Sequence, residues 1–332
     1  MQDSMRKDEQ HGGYSLKDNR KLICTIFVVV AGSLWGMMGL FVRTFVQDGF
    51  TSAEIAVIRS ICATLLMGLF LLIKNKSLFK IKLRDIWCFV GTGVVSLTLF
   101  NLCYFTALQR TSMAVAAILM YTSPVFVVLL SALLFGEKIN KVKVIALVVA
   151  LLGIVLVTGV LKLGGNPFIT VDVGNGISVS TIIIGIGSGV GYALYSIFGR
   201  FAIEKGYPSE TITFYTFMFA ALGLTACMLI LGNDSTGALF GTFPQLIEKF
   251  VSGRPVIDVL LCIGIAVVVT ILPYMFYTKG LTGIENGKAG IIASVEPVMA
   301  ALIGMFVYGE ILSVTGYAGV ILVMAAIVLL YI

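Results

Sequence analysis

The stretch YTSPVFVVLLSALLFGEKI at 121–139 is matched later in the chain by SVEPVMAALIGMFVYGEI at 294–311. In each stretch a proline is followed twelve positions later by a glycine and then by a glutamate: Pro124, Gly136 and Glu137, and Pro297, Gly309 and Glu310. The match extends without a gap over 100–139 and 273–312. A second pair of segments, 31–43 and 188–200, also matches, and the sequence therefore predicts an internal repeat.

The 332-residue chain is too apolar for a soluble protein. Hydrophobic residues make up 58% of it and charged residues 12%, whereas soluble domains are roughly half apolar and a quarter charged. Ten apolar runs have the roughly 18–23 residues needed to cross ~30 Å of hydrocarbon. We therefore predict an all-α integral membrane protein with ten transmembrane helices, at about 22–42, 55–73, 86–108, 113–135, 144–161, 179–199, 211–232, 259–278, 289–308 and 312–332.

The repeat divides these spans into two sets of five. We predict a mobile cytoplasmic tail at 1–21, a first repeat at 22–161 and a second at 179–332, with an insertion within 231–255. Because five is odd, the second repeat must enter the membrane from the opposite face. Inverted repeats of this kind are typical of secondary transporters, whose substrate site lies where the halves meet.

The basic residues indicate an orientation. If the amino terminus is cytoplasmic, 17 of the 23 Lys and Arg residues lie in inside segments and five outside, with Arg59 in a span. Cytoplasmic loops are normally the Lys- and Arg-rich ones. Both termini are therefore predicted to be cytoplasmic, and the short loops fit a bacterial cytoplasmic (inner) membrane. The net charge of +6 needs no nucleic-acid partner, because no basic patch with interleaved aromatic residues occurs.

Cofactor and metal chemistry has no support in the sequence. The six cysteines lie in or beside apolar runs without CxxC spacing, and the single histidine, His11, is in the tail. No phosphate-binding GxxxxGK[ST] loop occurs, so direct ATP drive is not expected. We predict no cofactor, no metal and no enzyme activity. The predicted partners are a small-molecule substrate and membrane lipid, and no feature selects an oligomeric state.

Polar, charged and aromatic residues inside the spans are the candidates for substrate binding: Trp35, Arg59, Asn101, Tyr104, Tyr192, Tyr274 and Glu296. Charged residues within a membrane usually face the bundle interior and mark function. Arg59 could instead extend to the outer surface, and Glu296 could be a packing acid. Helix rise places these two about 12 Å apart along the membrane normal, which predicts separate environments. The aromatic residues could instead form interfacial belts.

Pro124 and Pro297 are the candidate gating residues. Each lies inside a predicted span and removes one backbone hydrogen bond, which in a membrane must be compensated by protein or a water-lined cavity. The resulting kinks would open a cavity and let helices flex. The alternative is a static bend that improves packing.

These residues give the chain a resemblance to a known family. The segments 122–139 and 293–312, with SLWG at 33–36 and SAEIAVIR at 52–59, are similar to the EamA family of the drug/metabolite transporter superfamily, over about 22–332. The resemblance implies a ten-helix carrier that moves amino acids or related metabolites, often outward, by alternating access. The alternatives are a channel-like or facilitative permease and a membrane-embedded enzyme.

Overall fold

The computed structural model describes residues 2–163, 169–171, 178–231, 241–252 and 255–330. The α-helices, in chain order, are α1 (Gln2–Gly36), α2 (Met38–Gln47), α3 (Ser52–Lys74), α4 (Ile86–Val90), α5 (Leu99–Arg110), α6 (Met113–Met120), α7 (Ser123–Phe135), α8 (Lys141–Val157), α9 (Val179–Glu204), α10 (Ser209–Leu231), α11 (Phe243–Ser252), α12 (Pro255–Ala266), α13 (Leu272–Gly280), α14 (Asn286–Ile292), α15 (Val295–Tyr308) and α16 (Val314–Leu329). Short 3₁₀ turns at Lys76–Phe79 and Leu83–Asp85 follow α3, and wider π-helical turns join α4 to α5 (Gly91–Thr98) and α12 to α13 (Val267–Ile271).

Eight helical segments of the described chain are long and apolar enough to cross a membrane. They are Asn19–Gln47, Ser52–Lys74, Leu83–Arg110, Met113–Phe135, Val179–Glu204, Ser209–Leu231, Val256–Gly280 and Asn286–Tyr308. The remaining two predicted spans, 144–161 and 312–332, correspond to shorter apolar helices. These are α8, with 17 residues, and α16, with 16 residues, and the two pack against each other.

Three details differ from the sequence-based expectation. The helix α1 begins at Gln2, so the segment expected to be a separate mobile tail continues into the first span as one helix. The fold is not purely helical, because Leu161–Leu163 pairs antiparallel with Ile169–Val171 in the connection between the repeats. The predicted insertion contains α11, an amphipathic helix, while 232–240 and 253–254 lie outside the described residues.

The outer surface of the bundle is apolar. Leu133 on α7 and Phe306 on α15 are each 78% exposed, and Ile321 on α16 is 67% exposed. Soluble monomers rarely present contiguous apolar surface of this kind. The protein therefore has the surface of an integral membrane protein.

The matched segments of the sequence have the same local structure. Each is a short helix, a break and a longer helix: α6 then α7 in the first copy, and α14 then α15 in the second. Each longer helix ends at a glycine in the left-handed conformation, Gly136 with φ 66° and Gly309 with φ 66°, where a side chain would be strained. The π-helical turns also occupy corresponding positions in the two copies.

Helix contacts follow the repeat as well. The first helix of the first copy, α1, packs against α13 and α15 of the second, while its counterpart α9 packs against α5 and α7 of the first. The counterparts α3 and α10 pack together, as do α8 and α16. Each copy therefore completes its packing mainly against the other.

Two glycines bring α1 and α9 close to the breaks in the opposite copy. A methyl group added at Gly32 would collide with Val295 and lie 3.1 Å from the Ala293 carbonyl oxygen. One added at Gly189 would collide with Thr122 and lie 3.1 Å from the carbonyl oxygens of Leu119 and Met120. Small residues allow such approach where no hydrophobic force drives helices together.

This packing predicts that Gly189→Ala lowers the free energy of unfolding by about 1–3 kcal/mol, because the added methyl group overpacks a rigid contact. The matched control is Gly199→Ala on the same helix, where nothing lies within 4 Å of the added atom. There the better helix propensity of alanine should leave stability unchanged or raise it by up to about 1 kcal/mol. Thermal unfolding in detergent measures both, and equal stability of the two variants would contradict the close packing.

Candidate functional site

A pocket lies where the two copies meet. The space among its lining atoms is about 370 Å³ when space open to the outside is included, and the centre of a water molecule can occupy about 20 Å³ of it. The first copy contributes Trp35, Leu97, Ser123 and Val127 to its lining, and the second contributes Tyr192, Tyr195, Ser196, Tyr274, Tyr277 and Gly290. An aromatic wall with a few placed polar groups is the usual composition of a site for a small organic molecule.

Trp35 is the centre of the aromatic wall. Its ring centroid is 6.0 Å from that of Tyr192, 5.2 Å from Tyr274 and 5.4 Å from Tyr277. The Trp35 side chain is 6% exposed, and its indole Nε1 is buried without a hydrogen-bond acceptor in the described structure. An unpaired buried donor is costly, which makes the indole N–H a candidate for hydrogen bonding to a ligand.

Side-chain hydrogen bonds between α9 and α13 connect the lining residues that the second copy contributes to the pocket. The hydroxyl groups of Tyr195 and Thr278 are 2.8 Å apart, and those of Ser196 and Tyr277 are 3.0 Å apart. These residues are buried. The bonds fix the tyrosine rings in place, so the pocket is defined by rigid side chains.

Glu296 lies beside this wall. The Tyr192 hydroxyl donates to its carboxyl oxygen Oε2 at 3.1 Å, and the Tyr121 hydroxyl also interacts with this carboxyl group. Glu296 is half-buried and is the second residue of α15, immediately after the break between α14 and α15. The carboxyl group thus lies where a helix is interrupted and phenolic hydroxyls converge.

Pro124 and Pro297 do not kink continuous helices as expected. They lie in the first turns of α7 and α15, after breaks at Tyr121–Thr122 and Ala293–Ser294. A proline in the first turn removes no helical hydrogen bond. At the first break the Leu119 carbonyl oxygen accepts from the Thr122 hydroxyl at 2.6 Å, which satisfies a backbone group that the interruption leaves free.

Arg59 is buried rather than extended to the outer surface. Its side chain is 8% exposed, and its Nη1 reaches the Met38 sulfur at 3.7 Å. In the part of the chain that the structure describes, no ion pair joins Arg59 to Glu296. The two charged groups thus have separate immediate environments, in line with their expected depths.

Asn101 and Tyr104 lie outside the pocket lining. Asn101 is buried and donates from Nδ2 to the Leu97 carbonyl oxygen at 2.6 Å, one turn earlier. Tyr104 stacks on Phe100, with centroids 5.8 Å apart, and Phe100 in turn contacts Tyr192. The Phe100 ring therefore lies between Tyr104 and the lining residue Tyr192.

Sequence reasoning missed several lining residues. Tyr277 has the position of an interfacial aromatic residue, but it is 4% exposed and lines the pocket. Helical spacing could have identified it, because Tyr274 and Tyr277 share a face, as do Tyr192, Tyr195 and Ser196. Ser123 and Gly290 give no such signal, since small residues are common throughout the spans.

The two ends of the bundle differ. At one end Glu137 is nearly buried and accepts from the backbone N–H groups of Asn286 at 2.7 Å and Gly287 at 3.0 Å. These groups begin α14 of the other copy, and Lys143 lies 3.6 Å from the same carboxylate. At the other end the counterpart Glu310 is 53% exposed and pairs with Arg43 at 2.7 Å. A carboxylate is favoured at a helix amino terminus. Both glutamates therefore bind the opposite copy, Glu137 as a nearly buried cap of α14 and Glu310 in an exposed ion pair.

Comparisons with known proteins agree with this arrangement. The sequence profile of the EamA-like transporter family matches residues 22–159 and 179–332. An uncharacterized transporter of Archaeoglobus fulgidus is 29% identical over 226 residues, 68% of this chain and 70% of that protein. The uncharacterized transporter YwfM of Bacillus subtilis is 24% identical over 93% of each chain. The uncharacterized inner membrane transporter YicL of Salmonella typhimurium is 22% identical over 91% of this chain and 93% of that protein.

A solved structure shares the fold. It superimposes with a TM-score of 0.71 at 18% sequence identity, and the match covers 92% of this chain and 96% of the other. The apolar bundle and its internal pocket are those of an integral membrane transporter. The chain belongs to the EamA-like transporter family.

The aromatic wall predicts that Trp35→Ala weakens ligand binding beyond its effect on folding. The truncation removes ring contacts with three tyrosines and should also cost about 3–5 kcal/mol of stability. Trp87→Ala is the control, because Trp87 is 41% exposed and lies outside the pocket lining. A thermal-shift screen of the unmodified protein against a metabolite panel identifies a ligand. Calorimetry then compares the affinity of the folded variants for that ligand. Normal affinity in Trp35→Ala would exclude Trp35 from the site.

Proposed function

We propose that this protein is a secondary transporter that moves a small organic metabolite, an amino acid or a related compound, out of the cell by alternating access. The observation that carries the proposal is the pocket between the copies, with the Glu296 carboxyl group at its side. Aromatic rings would contact the apolar part of the solute, and the carboxyl group would bind an amine or exchange a proton.

The architecture that supports alternating access is a pair of inverted five-helix repeats. We assign α8 and α16 as the fifth and tenth spans, although each is short, since they are counterparts and pack together. The reciprocal contacts of α1 with α13 and α15, and of α9 with α5 and α7, are those expected of two copies related by a two-fold axis. Exchange of conformation between such copies gives two states of similar energy.

The difference between the ends supports the same mechanism. In the state described, Glu137 caps α14, and this contact would close that end. In the exchanged state its counterpart Glu310 would leave Arg43 and cap the start of α6 at Met113. The breaks beside Pro124 and Pro297 would act as the hinges, because a broken helix changes direction without losing further hydrogen bonds.

The proposed location is a bacterial cytoplasmic membrane, with both termini in the cytoplasm and lipid around the apolar outer surface. The excess of Lys and Arg in the inside segments supports this orientation. A cysteine placed at exposed Lys80 should resist an impermeant thiol reagent in intact cells, whereas one at exposed Gln47 should react.

The alternative functions are a channel-like or facilitative permease and a membrane-embedded enzyme. The described residues hold no cluster of metal-binding side chains, and the pocket has no nucleophile paired with a base. Counterflow in proteoliposomes separates a carrier from a channel. A carrier accelerates uptake of labelled solute when unlabelled solute is inside, and a channel does not.

The role of Glu296 predicts that Glu296→Gln leaves the protein folded but lowers transport at least ~10-fold, with loss of any pH dependence. The amide keeps the shape and a hydrogen bond from Tyr192 but neither titrates nor attracts an amine. Asp48→Asn in the loop after α2 is the matched control and should transport normally. Counterflow of labelled amino acids measures both variants.

Normal transport with unchanged pH dependence in Glu296→Gln would remove both the proton role and the amine role. Loss of transport with loss of the folded protein would show a packing role instead. Thermal unfolding of each purified variant distinguishes these cases.

A further inference from the structure

Arg59 is a buried cation without an anionic partner. Its side chain is more than nine-tenths buried, its Nε has no hydrogen-bond acceptor, and Nη1 has only the weak Met38 sulfur at 3.7 Å. No carboxylate of the described residues forms an ion pair with it. A buried charge is ordinarily paired, because moving an unpaired charge from water into the protein interior is unfavourable. The site is therefore electrostatically incomplete.

The guanidinium group lies near the pocket, because its Nη1 is 3.7 Å from the sulfur of Met38, three residues after Trp35 of the aromatic wall. Arg59 is on α3 and is close enough to interact electrostatically with Tyr274, which lines the pocket and packs on Trp35. Glu296, on α15, is also within electrostatic range of Arg59 but does not pair with it. The region around the pocket thus has one cationic and one carboxylic group, held by different helices.

Guanidinium recognises carboxylates through two parallel N–H···O bonds. One unpaired guanidinium balances one negative charge, and the nearby Glu296 carboxyl group disfavours a second negative charge on the ligand. The aromatic wall beside Glu296 suits an organic body. These features select a solute with a single carboxylate and, at its other end, a hydrogen-bond donor or a cation.

We propose that Arg59 is an anion-binding subsite that takes the carboxylate of the transported solute, with Glu296 receiving the solute's opposite end. The proposal rests on the proposed function, since it assigns one end of the same pocket. Arg59 then contributes specificity: it binds carboxylic solutes and rejects their neutral amides, because only the carboxylate completes the buried charge.

The test uses acetate as the smallest carboxylate probe, acetamide as its neutral match, and sodium chloride to hold ionic strength constant. Thermal unfolding is measured on purified protein in neutral detergent. Acetate, but not acetamide, should raise Tm of the unmodified protein by about 2 °C or more. Arg59→Met should abolish the rise, Arg59→Lys should reduce it, and Glu296→Gln should keep it.

A second readout needs no ligand. Without acetate, Arg59→Met should unfold at a temperature no lower than the unmodified protein, because the substitution removes an uncompensated buried charge. A lower Tm would show that Arg59 has a structural partner, and would overturn the subsite. Equal responses of the unmodified protein and Arg59→Met to acetate, or no response in either, would also overturn it.

A lipid headgroup is the other source of an anion. If added phosphatidylglycerol abolishes the acetate response, the guanidinium binds lipid and the solute assignment is wrong; a persistent response supports it. Acetate binding requires neither transport nor Glu296. If Glu296→Gln transports normally, the proposed function is wrong and the acetate result is unaffected. If acetate gives no response, the Arg59 subsite is wrong and the transport result is unaffected.

Discussion

The structure depends on two interrupted helices that cross the middle of the bundle. A break leaves backbone groups without helical partners, and within a membrane these must be satisfied by the protein. The break between α6 and α7 is covered by α9 at Gly189, and the break between α14 and α15 is covered by α1 at Gly32. Each interruption is thus packed against the first helix of the other copy.

The same interruptions create the chemistry of the pocket. Ser123 follows the first break and lines the pocket, while Glu296 follows the second and accepts from Tyr192. A continuous helix would bury its backbone groups and leave only side chains to bind a solute. Because the broken segments lie beside the aromatic wall, polar groups and rings converge at one place in an otherwise apolar molecule.

The sequence predicted apolar spans because hydrophobic run length is a local property, and eight of the ten are long enough to cross a membrane in the described chain. The repeat architecture and the binding roles of the site residues stay predictions. Trp35, Tyr192 and Tyr274 are all in the lining. The prediction that Pro124 and Pro297 kink continuous helices was wrong, since a proline marks a missing hydrogen bond whether a helix bends or restarts. The inclusion of Tyr277, the burial of Arg59 and the exclusion of Asn101 depend on helix rotation and neighbours in the other copy. A single sequence does not specify these.

The central claim is that the two copies exchange conformations, so that one end opens as the other closes. Paired spin labels at Lys138 and Thr282, near the Glu137 cap of α14, and at their counterparts Ile311 and Gln109, measure both ends by electron–electron double resonance. The account predicts two distances for each pair, with solute shifting the populations in opposite directions at the two ends. A single, unchanging distance at both ends of a protein that transports would contradict it.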